Sequence, residues 1–351
     1  MASITIHNHT YPFKEIERGA YTAATDYTKE TLDFCRKWLQ GVEKFVLTTS
    51  GSTGVPKPIT PTRTQMLASV TLTDQALSLS QMKTALVCIN TAYIGGKMML
   101  VRGLEMGWEM TVVPPQANPF LVLNQPVDFI ALVPLQLQAI LKEDHTKAQF
   151  NRTKTVIVGG AAISFPLQQQ ITQLRPVIYH TYGMTETVSH IALKRLNGTQ
   201  KQTYFQALQG VHLTQDQRGC LVIQAPTTLQ KPIVTNDLVK LHSAQQFEIL
   251  GRIDNIINSG GIKIQLEQIE AVVAEALQDL QKEVRFYAVG APDTQLGQKL
   301  VLVIEHKTPI PFLEEKLKQQ LPKYKVPKQI HYAEKLPETP SGKIKRLLIT
   351  P

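Results

Sequence analysis

The sequence lacks several features that would place it in a class at once. Its longest apolar runs, such as Phe129–Leu135, fall far short of the roughly 20 residues that a membrane-spanning helix needs. The N-terminal segment MASITIHNHTYPFKE is polar and has no apolar core of signal-peptide length. These absences argue against membrane insertion and against secretion.

Cysteine is scarce. The three cysteines, Cys35, Cys88 and Cys220, are odd in number and widely spaced. This pattern indicates neither a disulfide framework nor a zinc site. We therefore expect a protein of the reducing cytoplasm.

Basic residues outnumber acidic residues, which gives the chain a formal net charge of +9. Much of the surplus lies between Lys307 and Arg346. No aromatic recognition motif or zinc knuckle interleaves with these lysines, so we expect no nucleic-acid partner. A solvated basic face and a site for a polyphosphate ligand both remain open.

Through the first 200 residues, short apolar runs alternate with helical stretches, which predicts an α/β fold with a mainly parallel sheet. From about residue 210 to 251 the pattern changes to short strands and turns, which predicts a small antiparallel or β-barrel-like part. The predicted strands are Lys44–Thr48, Ala85–Asn90, Met110–Val113, Phe129–Val133, Thr155–Val158 and Val177–His180, and the predicted helices are Thr62–Ser78, Gly96–Gly103, Leu135–Leu141 and Pro166–Leu174.

A domain boundary is predicted at residues 251–254. It separates a large domain, 1–250, from a small α+β domain, 255–351, with predicted helices at Leu266–Leu280 and Phe312–Leu321. The small domain ends in a Pro/Gly/Ser loop that carries Lys343. Such a loop is expected to be exposed.

The segment Thr48–Lys57, TTSGSTGVPK, follows a predicted strand. Its small residues allow successive backbone N–H groups to converge on a polyphosphate, and its hydroxyls and Lys57 add donors. Pro56 stands where a Walker A loop requires glycine, so the loop is of another kind. A flexible turn is the alternative interpretation.

Tyr182–Glu186, YGMTE, directly follows the strand that ends near His180, where α/β sheets place their ligands. Thr185 could donate to a phosphate oxygen, and Glu186 could hold Mg²⁺ through its carboxylate. Glu186 could equally be a carboxylate at a helix start.

Further along the chain, Asp237 could accept hydrogen bonds from ribose hydroxyls, and Arg252 could neutralise a phosphate. A turn residue is the alternative for Asp237. Lys343 could stabilise charge on a phosphate under attack, although a lone exposed lysine is more often simply solvated.

Taken together and in this order, these segments resemble the superfamily of adenylate-forming enzymes, which includes acyl-CoA synthetases. The likeness runs from about Phe45 to Arg346 and includes Gly159–Ala162, similar to the superfamily's glycine-rich stretch beside adenosine, and Gly251–Lys263, similar to its interdomain segment. The short chain and the stretch His180–His190 look most like the o-succinylbenzoate–CoA ligases of menaquinone biosynthesis.

The resemblance implies an enzyme that activates a small carboxylic acid with ATP and transfers the acyl group to coenzyme A. Catalysis would depend on Lys343, Thr185 and Glu186, with Mg²⁺ on Glu186, and the small domain would pivot about Asp254. The residues implied to bind ATP or CoA are Thr48, Thr49, Ser50, Gly51, Ser52, Thr53, Gly54, Lys57, Gly160, Ala161, Tyr182, Gly183, Asp237, Arg252, Gly260 and Gly261.

The sequence departs from the superfamily pattern in two places. The phosphate loop begins at residue 48, far earlier than in most relatives, which predicts a reduced N-terminal portion of the large domain. Tyr93 stands roughly where relatives have histidine. We hypothesise that Lys97 or a neighbour pairs with a second carboxylate of a dicarboxylic substrate; an exposed helix lysine is the alternative.

Three other functions remain as alternatives. One is a CoA ligase for a different aryl or fatty acid. Another is a non-catalytic adenylate-binding module, against which the presence of both Glu186 and Lys343 argues. The third is a peptide-synthetase adenylation domain, which would need a separate carrier. The oligomeric state does not follow from the sequence.

Overall fold

A computed structural model of the chain describes residues 2–48, 58–123, 125–338 and 344–347. These residues form a 13-stranded sheet, a five-stranded sheet and a two-stranded hairpin. The strands up to the hinge segment are β1 Ser3–Ile6, β2 His9–Pro12, β3 Leu47–Thr48, β4 Pro58–Ile59, β5 Thr84–Val87, β6 Glu109–Val112, β7 Phe129–Leu132, β8 Thr155–Val158, β9 Val177–Gly183, β10 His190–Arg195, β11 Phe205–Ala207, β12 His212–Gln215, β13 Cys220–Gln224, β14 Ile233–Leu241 and β15 Gln246–Arg252.

The later strands belong to the small sheet, and helices flank both sheets. These strands are β16 Ile256–Ser259, β17 Ile262–Gln265, β18 Phe286–Asp293, β19 Gly297–Glu305 and β20 Gln329–Ala333. The α-helices of the described residues are α1 Phe13–Arg18, α2 Asp26–Leu39, α3 Arg63–Leu77, α4 Ile94–Met106, α5 Pro134–Lys142, α6 Asp144–Phe150, α7 Phe165–Ile171, α8 Leu266–Asp279 and α9 Leu313–Gln320.

The large sheet is parallel at its centre, with six antiparallel strands on one side and the antiparallel strand β2 at the other edge. Strands β1, β6, β5, β7, β8 and β9 lie side by side in that order and run parallel. Beyond β9 the sheet continues antiparallel through β10, β11, β15, β14, β13 and β12. The predicted α/β large part and small α+β part are confirmed, and the barrel-like part is a continuation of the same sheet.

Helices cover both faces of the parallel strands, and the pleat assigns alternate residues to two cores. In β5, Ala85 and Val87 face the core that is closed by α2, α3 and α4. Leu86 faces the opposite core, which α5, α6 and α7 close. Because β5, β7 and β8 are covered on both faces, their sequences read as continuous apolar runs.

The first forty residues, for which no elements were predicted, complete one edge of the sheet. β1 pairs with β6, and β2 closes a hairpin against β1. Helix α2 is capped by Thr25, whose hydroxyl accepts from the backbone N–H of Thr28 at 3.1 Å. It buries Leu32, Cys35 and Trp38 against the α4 side of the core.

Helix α3 begins as its sequence predicts. The Thr62 hydroxyl accepts from the Gln65 N–H at 3.2 Å, and the Gln65 carboxamide oxygen accepts from the Thr62 N–H at 3.0 Å. This reciprocal capping box defines the first turn. The strand predicted at Lys44–Thr48 is shorter, because only Leu47 and Thr48 pair with β4, and Lys44 forms an isolated bridge to Thr62.

The small sheet has its own apolar core, closed by α8 and α9. The chain leaves the large sheet at Arg252, makes a single 3-10 turn at Ile253–Asn255, and enters the small sheet at Ile256. The domain limits 1–250, 251–254 and 255–351 stay predictions. Over the described residues, every helix is too short or too polar to cross a membrane.

Candidate active site at the carboxyl ends of the parallel strands

The YGMTE segment occupies the end of β9 and the turn that follows it. β9 ends at Gly183, and Thr185–Thr187 form a 3-10 turn before β10 returns antiparallel. A Cβ on Gly183 would lie 2.4 Å from the Ser189 carbonyl oxygen and 2.5 Å from the His190 Cα. Glycine is therefore required there, and the close approach presents Thr185 and Glu186 at the sheet edge.

Asp237 is held by two side chains from neighbouring strands. The Tyr182 hydroxyl donates to its carboxylate at 2.6 Å, and Arg252 Nη1 lies 3.1 Å from its other oxygen. Burial, with the adjacent Asp237 charge, raises the pKa of Tyr182, so the hydroxyl stays a donor. β9, β14 and β15 thus bring together three residues that are far apart in sequence.

Arg252 links this group to the hinge segment. Its second nitrogen lies 2.8 Å from a carboxylate oxygen of Asp254, which also accepts from Asn236 Nδ2 at 3.1 Å. The hydrogen bond from Arg252 holds the pKa of Asp254 below its usual range. Asp237, Arg252 and Asp254 therefore form one charged network at the point where the chain leaves the large sheet.

The glycine-rich stretch after β8 lies beside β9, the strand that carries Tyr182. Val158 is in register with His180, so Gly160 and Ala161 come next to the end of β9. Gly160 has a φ of 82°, a left-handed conformation that favours glycine. The Ala161 carbonyl lies 3.3 Å from His180 Nε2, and burial, with the nearby Lys194 charge, lowers the pKa of His180 to about 4.

A cavity of about 460 Å³ opens beside Glu186. It lies between the base of the β3–β4 hairpin, the start of α3 and the loop that precedes β14. We call it the Glu186 cavity. Its polar lining residues are Lys44, Thr60, Thr62, Gln65, Glu186, Thr228 and Lys231.

Several predicted site residues lie outside the described residues: Thr49, Ser50, Gly51, Ser52, Thr53, Gly54, Lys57 and Lys343. For the phosphate loop, the structure describes its two flanks. Thr48 ends β3 and Pro58 begins β4, and the two residues pair with each other. The loop therefore joins two strands whose base borders the Glu186 cavity.

Tyr93 and Lys97 lie at the start of α4, at the carboxyl end of β5. Tyr93 is the residue that precedes the helix. Lys97 is half-buried: its ammonium donates to the Thr91 carbonyl at 2.7 Å and lies 4.8 Å from the centre of the Phe34 ring. Burial lowers its pKa. Lys97 thus faces α2 and is not the exposed lysine of the alternative interpretation.

Arg102, one and a half turns further along α4, was not predicted as a site residue. Its side chain is fully enclosed at 2% exposure, and Nη2 donates to Ser189 Oγ at 2.8 Å. No carboxylate among the described residues pairs with it, and its Nε has no hydrogen-bond partner there. Burial lowers its pKa to about 10 and that of the neighbouring His190 well below the usual range, so Arg102 remains the charged group.

A second unsatisfied atom lies on the helix that faces Arg102. Thr73 is within 3.5 Å of Arg102 Nη2 and 3.2 Å of His190 Nε2. One turn earlier on α3, the buried Ser69 hydroxyl lacks a hydrogen-bond partner among the described residues. The signal in the sequence was a lone arginine in the apolar helical stretch MMLVRGL.

Gly260 and Gly261 form the turn between β16 and β17, with φ values of 59° and 83°. Both conformations favour glycine. The Gly260 N–H donates to the Leu296 carbonyl at 2.9 Å, which fixes the turn against the β18–β19 connection. In this arrangement the two glycines lie on the small sheet, in a part of the chain separate from the Tyr182–Asp237 group.

Two families of known proteins match the chain in sequence. The AMP-binding enzyme family matches residues 44–215, and the AMP-binding enzyme C-terminal domain matches residues 270–343. An acyl-CoA synthetase (AMP-forming)/AMP-acid ligase II-like protein from Dyadobacter fermentans is 44% identical over 94% of this chain and 95% of that one, with a TM-score of 0.65. The chain therefore belongs to the AMP-binding, adenylate-forming enzyme family.

Within that family the chain is similar to 2-succinylbenzoate–CoA ligases. That of Bacillus cytotoxicus is 25% identical over 96% of this chain and 74% of its own length, and that of Lactococcus lactis is 28% identical over 86% and 69%. The structure of o-succinylbenzoate coenzyme A synthetase from Bacillus subtilis with ATP and magnesium has the same fold, with a TM-score of 0.71 at 22% identity, over 86% of this chain and 68% of that one.

Proposed function

We propose that this protein is an ATP-dependent carboxylate–CoA ligase that acts through an acyl-adenylate, and that its acid is o-succinylbenzoate. The observation that carries this proposal is the Asp237 carboxylate, held by Tyr182 and Arg252 at the edge that also presents Glu186. A fixed carboxylate at this edge can accept from both hydroxyls of a ribose.

Around that anchor, the remaining residues suit the rest of ATP. Gly160 and Ala161 offer backbone groups beside the adenine, and the phosphates would extend toward Thr185 and the loop at residues 48–57. Glu186 is the one carboxylate among the described residues that line its cavity. A single carboxylate fits Mg²⁺ that is held mainly by water and substrate phosphates. Bound there, Mg²⁺ would neutralise phosphate charge.

In the first half-reaction, a carboxylate oxygen of the acid attacks the α-phosphorus of ATP. The bond from that phosphorus to the bridging oxygen breaks, and pyrophosphate leaves with the electron pair. Negative charge builds on the phosphate oxygens in the transition state, and Lys343 would stabilise it. Arg252 and Asp237 would keep the nucleotide aligned for the attack.

In the second half-reaction, the CoA thiolate attacks the acyl carbon and AMP leaves. We propose that the small domain turns about Asp254, which withdraws Lys343 and brings Gly260 and Gly261 toward the adenylate. Residues without side chains there would let the narrow pantetheine arm pass close to the backbone. The salt bridge from Arg252 to Asp254 ties this hinge to the nucleotide anchor.

Arg102 supports an acid with two carboxylates. A buried guanidinium without an acidic partner is costly, and a substrate carboxylate would supply the missing charge. The unsatisfied Arg102 Nε and Ser69 hydroxyl are donors that such a carboxylate could use. We therefore assign the second-carboxylate role, first considered for Lys97 or a neighbour, to Arg102. The names of the similar ligases agree with a dicarboxylic acid.

The three cysteines of the chain are unpaired and buried, which supports a reducing, cytoplasmic location as part of this proposal. The test of the function is pyrophosphate release against a panel of carboxylates, each with and without CoA. We expect release only with an acid, fastest with o-succinylbenzoate, and acyl-CoA formation only with CoA. Release without any carboxylate, or with no preference among acids, would contradict the proposal.

A further inference from the structure

The C-terminal end of β15 is held from the small sheet as well as from the large one. β14 pairs with β15 as far as Arg252, whereas β11 pairs with it only at Phe247 and Gln246. On the side away from β14, the backbone of Arg252 therefore has no strand partner among the described residues. Backbone groups withdrawn from water need hydrogen-bond partners, and here side chains provide them.

Both backbone groups of Arg252 are bound by side chains from beyond the hinge segment. The Arg252 N–H donates to Glu267 Oε1 at 3.3 Å, and Gln265 Nε2 donates to the Arg252 carbonyl at 3.0 Å. Gln265 also donates to the second oxygen of Glu267, and Asn255 Nδ2 donates to the first. Gln265 ends β17, and Glu267 lies in the first turn of α8. We call Gln265 and Glu267 the Arg252 clamp.

Gly251 provides the space in which the two ends of the clamp meet. A Cβ at this position would lie 2.4 Å from Gln265 Nε2 and 2.7 Å from Glu267 Oε2. The φ of Gly251 is 141°, a conformation that residues with a Cβ rarely adopt. Helix α8 packs against β15 at the same place. The end of β15 and the start of α8 are therefore fitted to each other in this arrangement.

The Arg252 clamp acts on a residue that belongs to the nucleotide anchor. The Arg252 guanidinium is bonded to Asp237 on one side and to Asp254 on the other. Within the described residues, the hydrogen bonds from the clamp to Arg252 all go to its backbone. A backbone that is fixed at both its N–H and its carbonyl limits the directions that the side chain can take. Any effect of the clamp on the nucleotide therefore has to pass through Arg252.

We propose that Gln265 and Glu267 are positioning residues that keep Arg252 on Asp237 in this orientation of the small domain alone. This inference rests on the proposed function, both for the nucleotide and for the turn about Asp254. Arg252 and the clamp lie on opposite sides of Asp254, so a turn about that residue separates them and breaks their hydrogen bonds. ATP is then held firmly for adenylation, and AMP is released more easily after the turn.

The first experiment is calorimetric titration of ATP, with Mg²⁺, into the full-length protein without acid or CoA. Gln265→Ala and Glu267→Ala should each weaken binding about five- to tenfold, the effect of one lost hydrogen bond. Glu275→Ala is the matched control, because it removes an exposed carboxylate about two turns further along the same helix. It should leave the affinity within a factor of two of wild type.

A double-mutant cycle tests whether the clamp acts through Arg252. Arg252→Ala should itself weaken ATP binding, and Glu267→Ala added to it should weaken binding less than twofold further. Glu267→Gln keeps an acceptor oxygen for the Arg252 N–H and should recover most of the affinity. Equal losses from Glu267→Ala with and without Arg252 would overturn the inference, because a purely structural residue would behave in that way. Wild-type affinity in both clamp variants would also overturn it.

The two half-reactions test the dependence on orientation. In single-turnover assays at subsaturating ATP, Glu267→Ala should slow adenylation by the same factor as it weakens ATP binding. Thioester formation from supplied acyl-AMP should stay within a factor of two of wild type or become faster, because the clamp is already released in that step. An equal slowing of both half-reactions would contradict the proposal.

The two proposals fail in different ways, because ATP binding is measured without an acid. If no acid supports pyrophosphate release but Glu267→Ala weakens ATP binding only when Arg252 is present, the proposed function fails and the positioning role stands. If acid-dependent release occurs but the losses in the cycle are additive, only the positioning role fails.

Discussion

The two ends of the candidate site use positive charge in opposite ways. The phosphate end, with Lys44, Lys231 and Glu186, is exposed, and these residues line an open cavity. The acid end, with Arg102, Ser69 and His190, is enclosed by α3, α4 and the turn into β10.

The difference follows from what each end must bind. A magnesium polyphosphate arrives and departs with part of its water, so solvated lysines suffice and allow release. To select one acid among similar ones, the protein must pair the acid's second carboxylate with a buried cation. An acid without that carboxylate leaves the buried charge unpaired, which weakens its binding. Exposed lysines at the phosphate end therefore favour product release, and the buried arginine at the acid end favours selection of the acid.

The largest effect is expected at the phosphate end, from Lys343→Ala. Loss of a group that stabilises transition-state charge should slow adenylation about 100- to 1,000-fold. Thioester formation from supplied acyl-AMP should change little, since Lys343 would have left the site by then. Single-turnover assays of each half-reaction measure this, with Lys345→Ala as control. Equal damage to both halves would refute the role.

Arg102→Met tests the acid end. The ratio of kcat/KM for o-succinylbenzoate to that for an analogue lacking the ring carboxylate should fall about 30- to 100-fold, the loss of one charged hydrogen-bonded partner. The melting temperature should hold or rise, because an unpaired buried charge is removed. Arg102→Lys keeps the charge but not the geometry, and should recover little of the selectivity. An unchanged ratio with Arg102→Met would remove Arg102 from the site.

A smaller effect is expected from the anchor between the two ends. Asp237→Asn should raise KM for ATP about tenfold, because it removes the charged acceptor of the ribose hydroxyls. Tyr182→Phe should raise it about fivefold at most, since Arg252 still holds the carboxylate. The KM for the acid should stay constant in both variants. Steady-state kinetics at saturating acid provide the measurement, and a change in the acid's KM alone would argue against a nucleotide anchor.

The smallest effect is expected from Lys97→Ala. Its ammonium is already bonded to the Thr91 carbonyl, and its side chain packs on Phe34. Turnover should therefore fall no more than about threefold, and equally for one and two carboxylates. A loss confined to o-succinylbenzoate would transfer the second-carboxylate role from Arg102 to Lys97.

Prediction from sequence succeeded where local pattern decides structure. The continuous apolar runs at Phe129–Leu132 and Thr155–Val158 are buried parallel strands, and the helix predicted at Thr62–Ser78 is α3, with Thr62 as its N-cap. The turn at Gly260–Gly261 also follows from local chemistry, because left-handed conformations favour glycine.

The sequence did not predict the features that depend on tertiary packing. Arg102 is unusual only because no carboxylate of the described residues comes near it, and Lys231 only because a strained loop is held against α3 and the YGMTE turn. Neither property is visible along the chain. The N-terminal hairpin was missed because β1 becomes a strand by pairing with β6, over 100 residues away in sequence.

The central claim is that the acid is activated as an adenylate, and isotope transfer tests it most directly. The protein would be incubated with ATP, CoA and o-succinylbenzoate labelled with oxygen-18 in its carboxylates, and the products analysed by mass spectrometry. The account predicts one labelled oxygen in AMP and none in pyrophosphate. Unlabelled AMP, or label in inorganic phosphate, would contradict it.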